Sequence, residues 1–361
     1  LTEGEWEVTA IYGMNEKNKE IYYQSVEFGS TNRVIFSLTL KEKRKRVLAF
    51  KSGFNGGTFS ADKSFFIHSY SDEQTPPKYA VYDSRKGKKI QDLLNNETLK
   101  TKYLNKKLPW REFSKINING ESLNVYLLKP KDFDPSKKYP VLLYQYSGPG
   151  SQEVSNRWGD TRDLWHKMLT QKGFIVACVD GRGTGFKGAA FKKATYLNLV
   201  KYETLDQIAF AKKLAEMPFI DSNRIGIWGW SFGGHMASHC LLTANDTFAM
   251  AVAVAPVTNW RFYDTIYTER FMRTPLENSS GYDLNSPLNY AEQLKGKYLI
   301  IHGSGDDNVH VQNTLRMVEA LVQANKQFEW MIYPDKNHGI YGGNTQNHLY
   351  TKMTNFIIEN L

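Results

Sequence analysis

The sequence predicts an α/β fold, a mostly parallel β-sheet covered by helices, preceded by antiparallel β structure of the kind found in propeller blades. Three observations predict it. From Trp6 to about Ile90 the chain repeats short aromatic and β-branched runs, EIYYQSVEF, NRVIFSLTL, SFFIHSY and KYAVYDS, between turns rich in Gly, Asn, Asp and Ser, which is the pattern of an antiparallel meander. From Tyr139 the rhythm changes to apolar runs, YPVLLYQY, GFIVACVD, RIGIWGW, MAVAVA, KYLIIHG and FEWMIYP, with helical segments between them. Strands that are apolar throughout are buried on both faces, as in a parallel sheet under helices. The third observation is the stretch IGIWGWSFGGHM (Ile225 to Met236), in which Gly229-Trp230-Ser231-Phe232-Gly233 fits G-x-S-x-G on a strand-to-helix turn.

The first part holds enough strands for about two blades, short of the four to eight that close a ring. It therefore reads as an incomplete β-propeller spanning residues 1–108. The polar stretch NNETLKTKYLNKKLP (Asn95 to Pro109) reads as a helical turn and linker into a second domain, residues 109–361. Within that domain Leu205, Ile208, Ala209 and Leu214 have helical spacing between Tyr202 and Met217.

The 361 residues, 41% hydrophobic and 14% aromatic, can bury a large core and suit about two domains. No apolar run approaches the ~20 residues that span a bilayer, and the start at Leu1 lacks the basic and apolar regions of a signal peptide. A chain that does not begin with Met can be a fragment whose targeting signal is elsewhere. Of the net charge of +9, residues 1–108 carry about +6 and the remainder about +3. The densest basic runs, KEKRKR (Lys41 to Arg46) and RKGKK (Arg85 to Lys89), each adjoin an alternating apolar segment. They read as solvated turns, so no nucleic-acid partner is expected. Cys178 and Cys240 lie in apolar surroundings and read as buried thiols rather than a disulfide framework.

Ser231 tops a strand end, where ligands of such sheets bind. A serine hydroxyl needs a base to take its proton and a carboxylate to orient that base, and in α/β-hydrolases acid and then histidine follow the serine. IIHGSGDDNVHVQ offers Asp306 and Asp307, and MIYPDKNHGIYGG offers His338, each past the end of a strand. Among other histidines, His302 ends its strand inside the sheet and His310 starts a helix facing solvent. His235 and His239 have zinc-like i, i+4 spacing but enclose Met-Ala-Ser without the zincin Glu. They read as helix-surface or packing residues, and neither a metal nor any cofactor is expected. Between the aspartates, Asp306 comes first and Asp307 can cap the next helix, so pattern leaves both open. For the developing oxyanion the Phe232 N–H is one donor. The other comes from YQYSGPGSQ (Tyr144 to Gln152), as a backbone N–H, which Pro149 lacks, or as the hydroxyl of Tyr144 or Tyr146. DGRGTG (Asp180 to Gly185) lacks the order of a phosphate loop and reads as structural, with Arg182 in an ion pair.

Taken in order, YSGPGSQ, DGRGTGFKG, GWSFGGH, APVTNWRFYDTIYTERFM, HGSGDDNVH and DKNHGI resemble the prolyl oligopeptidase clan of serine peptidases, and within it the dipeptidyl peptidase IV-like members. The resemblance covers nearly the whole chain and implies an α/β-hydrolase fold preceded by the last blades of a β-propeller. It implies Ser231 as nucleophile, Asp306 rather than Asp307 as acid, His338 as base, and Tyr146 with the Phe232 N–H at the oxyanion. It further implies an S1 pocket walled by Trp260, Tyr263 and Tyr267 with Val257 and Val309, although the aromatic stripe alone reads as core packing. Asn308 would bond the carbonyl before the bound proline. The implied activity is release of N-terminal X-Pro or X-Ala dipeptides from peptides. An endo- or acylaminoacyl-type peptidase or esterase is the alternative of the same fold, and an inactive interaction protein the alternative of another class. A homodimer is implied, to which the C-terminal FIIENL could lend apolar surface if it does not simply cover the sheet. An exported, periplasmic or membrane-anchored location is also implied, while the sequence itself fixes no compartment. Two departures stand out: Phe232 occupies a place where relatives often have Tyr, and the glutamate pair that holds the substrate amine would lie before residue 1.

Overall fold

Eight strands occupy the first part of the chain in two four-stranded antiparallel meanders: β1 (Val8–Asn15), β2 (Glu20–Ser25), β3 (Val34–Thr39) and β4 (Lys45–Ala49), then β5 (Phe54–Phe59), β6 (Phe65–Asp72), β7 (Thr75–Asp83) and β8 (Lys88–Leu94). In this computed structural model, which describes residues 1–361, they belong to a unit comprising Leu1–Arg111, Val154–Leu164 and Gly185–Phe191. Alternation along β3 sends Val34, Phe36 and Leu38 into one buried cluster with Tyr23, and Ile35 into another with Tyr22, Leu48, Ala49 and Phe66. The second cluster draws on both meanders, with Phe59 stacked on Phe66 at 4.8 Å, and each large apolar side chain so buried contributes about 1.5–3 kcal/mol. Here are the two blades the rhythm implies. The four quoted runs are β2, β3, β6 and β7. Of the four strands without such runs, three have Gly56 and Gly57 (β5), a basic start (β4), or full exposure (β8), so little alternation marks them.

Both basic runs turn between strands, Lys41 to Arg44 after β3 and Arg85 to Gly87 after β7. Arg46 pairs with Glu20 at 3.1 Å and Lys45 with Glu27. The polar linker forms the helix Glu97–Asn105.

The second unit comprises Glu112–Glu153, Trp165–Thr184 and Lys192–Leu361. Its eight strands are β9 (Glu112–Ile118), β10 (Glu121–Leu128), β11 (Tyr139–Tyr144), β12 (Ile175–Asp180), β13 (Ile220–Trp230), β14 (Met250–Val254), β15 (Lys297–Gly303) and β16 (Glu329–Tyr333). They form one sheet in the order β9-β10-β12-β11-β13-β14-β15-β16. The hairpin β9–β10 and the pair β10–β12 are antiparallel and the rest parallel. Strands β11 through β16 coincide with the six apolar runs, and β11, β12 and β14 are buried at every position. Because β13, β14, β15 and β16 run parallel, their carboxyl ends share one edge of the sheet, which is where the loops bearing Ser231, Asp306 and His338 begin.

Three readings that the sequence left open are resolved. The helix Lys201–Ala215 forms as the spacing requires, but Leu205 is exposed and the buried face carries Glu203, Thr204, Asp206 and Gln207 beside Phe210, Ala211 and Leu214. Those polar groups serve neighbouring loops: Asp206 takes a two-point ion pair from Arg182, the pairing expected for the DGRGTG loop, and Gln207 donates to Ser147 and to the Val179 carbonyl. Of the two readings for His235 and His239, helix surface or packing, the second holds. His235 bonds the Asn285 carbonyl at 2.9 Å and His239 meets Thr204 at 3.1 Å, and burial lowers their pKa values to about 4 and about 3. In FIIENL, Phe356 and Ile357 are spent on the core of this unit, leaving Ile358 as the exposed apolar residue. No helix is long and apolar enough to cross a membrane.

Candidate active site

The turn after β13 explains its own glycines. A Cβ on Gly229 would lie 2.4 Å from the Gly233 carbonyl oxygen, and one on Gly233 would lie 2.6 Å from that of Gln145. No side chain fits either gap. Between them Ser231 adopts φ 61° and ψ −118°, a sparsely populated conformation that costs on the order of 1–3 kcal/mol in a non-glycine residue. The strain is held by the Ser231 N–H donating to the Val254 carbonyl at 2.8 Å and by the His235 N–H donating to the Ser231 carbonyl at 3.1 Å. The Gln145 amide also donates to the Gly233 carbonyl at 2.7 Å. The helix Phe232–Thr243 starts at once, so the Phe232 N–H has no intrahelical acceptor.

The loops after β15 and β16 are joined backbone to backbone. The Ser304 N–H donates to the Tyr333 carbonyl at 2.9 Å and the Gly305 N–H to that of Lys336 at 3.1 Å. Gly303 must be glycine here, because a Cβ would lie 2.2 Å from the Lys336 carbonyl oxygen. This approach brings the two side chains together. Asp306 Oδ1 accepts the N–H groups of Asn308 and Val309, both at 2.9 Å, and Oδ2 lies 2.7 Å from His338 Nδ1. Burial alone would raise the Asp306 pKa; hydrogen bonds from His302, His338 and the Asn308 N–H outweigh it and hold the carboxyl well below its ordinary value. Asp307 faces solvent.

The His338 carbonyl accepts the Trp230 indole N–H at 3.0 Å, which fastens the histidine loop to the residue before Ser231. The His338 ring and the Ser231 hydroxyl are not hydrogen-bonded to each other. The Tyr146 hydroxyl is the polar group beside that of Ser231, and burial and the charge of Glu153 raise its pKa against the opposing influence of Ser231. Tyr146 therefore stays protonated and able to donate. Tyr144, the other candidate, is packed in the core against His166 and Trp228.

Beyond the serine the aromatic residues form one cluster. The Trp260 ring lies 5.3 Å from Phe232, 5.9 Å from Tyr263 and 6.0 Å from Tyr267, stacked on the last at 21°. Tyr263 meets Tyr267 edge-on at 5.3 Å. The Tyr263 hydroxyl donates to Asn308 Oδ1 at 2.8 Å, tying the cluster to the turn that holds Asp306, and burial pushes the Tyr263 pKa up to about 12. Val257 and Val309 are buried, at 2% and 0% exposure. Sequence reading missed three supports: the Trp230 indole, the Gln145 amide, and His302, whose ring is fully buried 3.2 Å from Asp306 Oδ2. His235 also stacks on Trp260 at 5.4 Å. Only their positions beside the motifs hinted at these roles.

Known proteins are similar to this chain in sequence and fold. A probable dipeptidyl-aminopeptidase B of Pyrenophora teres f. teres is 39% identical over 366 residues, covering 99% of this chain and 40% of that protein, and one of Phaeosphaeria nodorum is 38% identical over 362 residues, covering 98% and 39%. The crystal structure of Porphyromonas gingivalis dipeptidyl peptidase 4 superposes with a TM-score of 0.96 at 46% identity, over 100% of this chain and 51% of that one. The chain thus spans about two fifths of the length of the relatives and about half of the crystallised chain. The profile of the dipeptidyl peptidase IV N-terminal region matches residues 1–77, consistent with the two meanders as propeller blades, and the second unit is an α/β-hydrolase domain. With the profile of the Prolyl oligopeptidase family matching residues 162–361, more than half of its length, the chain belongs to that family.

Proposed function

We propose that the complete protein is a serine exopeptidase that releases N-terminal X-Pro or X-Ala dipeptides through an acyl-enzyme. The observation that carries this reading is the 2.7 Å contact of Asp306 Oδ2 with His338 Nδ1 on the loop fastened beside the strained Ser231. With Nδ1–H given to the carboxylate, the neutral imidazole keeps Nε2 as a proton acceptor. In the proposed cycle the Ser231 hydroxyl turns to that nitrogen, its oxygen attacks the peptide carbonyl, and His338 takes the proton. Apo sites are commonly looser than the reacting complex. The imidazolium, steadied by Asp306, then protonates the leaving amine, and water cleaves the ester in a second round through the same base.

The Tyr146 hydroxyl and the Phe232 N–H are the proposed donors to the oxyanion. Tyr146→Phe should lower kcat by about 10²–10³-fold with KM little changed, as for other single oxyanion donors; steady-state kinetics on a Gly-Pro chromogenic substrate check it. Trp260, Tyr263 and Tyr267, with Val257 and Val309, would form the box for the second residue of the substrate. A proline ring suits flat apolar walls because it has no N–H to satisfy, and alanine is small enough to enter. Asn308, its Oδ1 already taken by Tyr263, keeps its amide N–H groups for the carbonyl of the substrate's first residue.

The deciding experiment compares free and N-acylated Gly-Pro substrates with the complete protein. A dipeptidyl peptidase should lose at least about 100-fold in kcat/KM when the amine is blocked, since buried polar groups would be left unpaired. Equal turnover would instead favour an endo- or acylaminoacyl-type enzyme. A homodimer is the assembly proposed, and sedimentation of the complete protein at the monomer mass would exclude it.

A further inference from the structure

His302 sits at the end of β15, fully buried and outside the three residues proposed to react. Its ring has a partner at each nitrogen. Nε2 lies 2.8 Å from the Val309 carbonyl oxygen and 3.2 Å from Asp306 Oδ2, and Nδ1 lies 2.7 Å from the Thr314 hydroxyl. A carbonyl only accepts, so the Nε2 proton is on the ring and is donated to Val309, with Asp306 Oδ2 close enough at 3.2 Å to feel the same N–H electrostatically; the Thr314 hydroxyl then donates to Nδ1. The Val309 N–H in turn donates to Asp306 Oδ1. A closed circuit of contacts results, running from Oδ1 through the backbone N–H and carbonyl of Val309 and the His302 imidazole back to Oδ2.

The closure matters because Asp306 must present Oδ2 to His338 in one orientation. Two backbone N–H groups fix Oδ1, but Oδ2 meets His338 on a partly exposed loop, and the second restraint on that oxygen is His302. His302 and Thr314 are both 0% exposed, and a buried polar ring is costly unless every polar atom is satisfied, as here. We infer that His302 is a positioning residue: its Nε2–H edge, held by Thr314 and Val309 and 3.2 Å from Asp306 Oδ2, fixes the Asp306 carboxylate against His338. This rests on the roles proposed above for Asp306 and His338.

The test uses the complete protein, with rates normalised to sites titrated by a fluorophosphonate so that misfolded molecules do not count. His302→Phe keeps a ring but no donor. Its kcat should fall about tenfold with KM within about twofold, the scale of one lost hydrogen bond to a charged group. The acid limb of kcat/KM should move to higher pH, because a carboxylate with one donor fewer holds the imidazolium more strongly. The titratable groups bearing on Asp306 are His302, His338 and Tyr263, so the shift has few other sources. His302→Gln, whose amide can place a donor near Nε2, should recover kcat to within about threefold of the parent. Thr314→Val should shift the limb in the same direction by less, and it decides the matter if His302→Phe yields no titratable sites. An unchanged acid limb and kcat in the variant that folds, or equal losses in His302→Phe and His302→Gln, would overturn the inference. Ser231→Ala separates the two readings: activity surviving that change refutes the nucleophile itself, whereas an inert Ser231→Ala with an unaffected His302→Phe refutes the positioning role alone.

Discussion

Ser231→Ala in the complete protein should abolish dipeptide release, with a fall in kcat on the order of a million-fold, the scale seen when a serine nucleophile is removed from another peptidase. The loss should come without collapse of the fold. Alanine has the same backbone preferences as serine, so the strained turn stays clamped by the Val254 carbonyl and the His235 N–H. What disappears is the hydroxyl alone. A thermal melt beside the kinetic assay distinguishes the two: turnover near zero with a melting temperature within a few degrees of the parent is the expected pair. Retained turnover would mean that chemistry happens elsewhere.

Asp306→Asn should cost about 10⁴-fold in kcat, because an amide in place of the carboxylate favours the wrong tautomer of the imidazole and cannot stabilise its charged form. The neighbouring Asp307→Asn, at an exposed position, should change kcat less than about threefold. The contrast is the informative part, since the two aspartates are adjacent in sequence and equivalent by pattern. Asp306 also carries a sign. Its folded pKa is depressed, with burial opposed by the His302 and His338 bonds. The stability it contributes is therefore present above the ordinary carboxylate pKa, and is lost only as pH falls through the lower folded value. The acid limb of activity, if it lies near neutrality, should not belong to Asp306, and the pH profile of the Asp307→Asn variant should overlay that of the parent.

The central sheet was legible because burial on both faces leaves apolar strands that periodicity detects, as in YPVLLY and IVACVD. The hairpin β9–β10 went unremarked although Asn119-Gly120 sits at its turn, with φ of 52° and 83°, a strong hairpin signal. Helix Lys201–Ala215 shows a different limit. Its spacing was read correctly while its buried face stayed unread, because Asp206 and Gln207 point inward to satisfy loops distant in sequence, and no local pattern encodes that. The same holds at the site. Motif order marked Ser231, the aspartate pair and His338, yet nothing in DKNHGI foretells that the His338 carbonyl is bonded by the Trp230 indole. His302 was read as a residue lost in the sheet. It is indeed buried, and that burial sets its ring 3.2 Å from Asp306 Oδ2.

The claim on which the rest depends is that Ser231 is the residue acylated during turnover. The most direct measurement is to label the complete protein with a fluorophosphonate, follow release from a Gly-Pro chromogenic substrate as the label accumulates, and map the adduct by peptide mass spectrometry. The account predicts one adduct per chain, on the peptide containing Ser231, with activity falling in proportion to labelling and no adduct in Ser231→Ala. Full modification of Ser231 with turnover intact, or inactivation by an adduct on another residue, would contradict it.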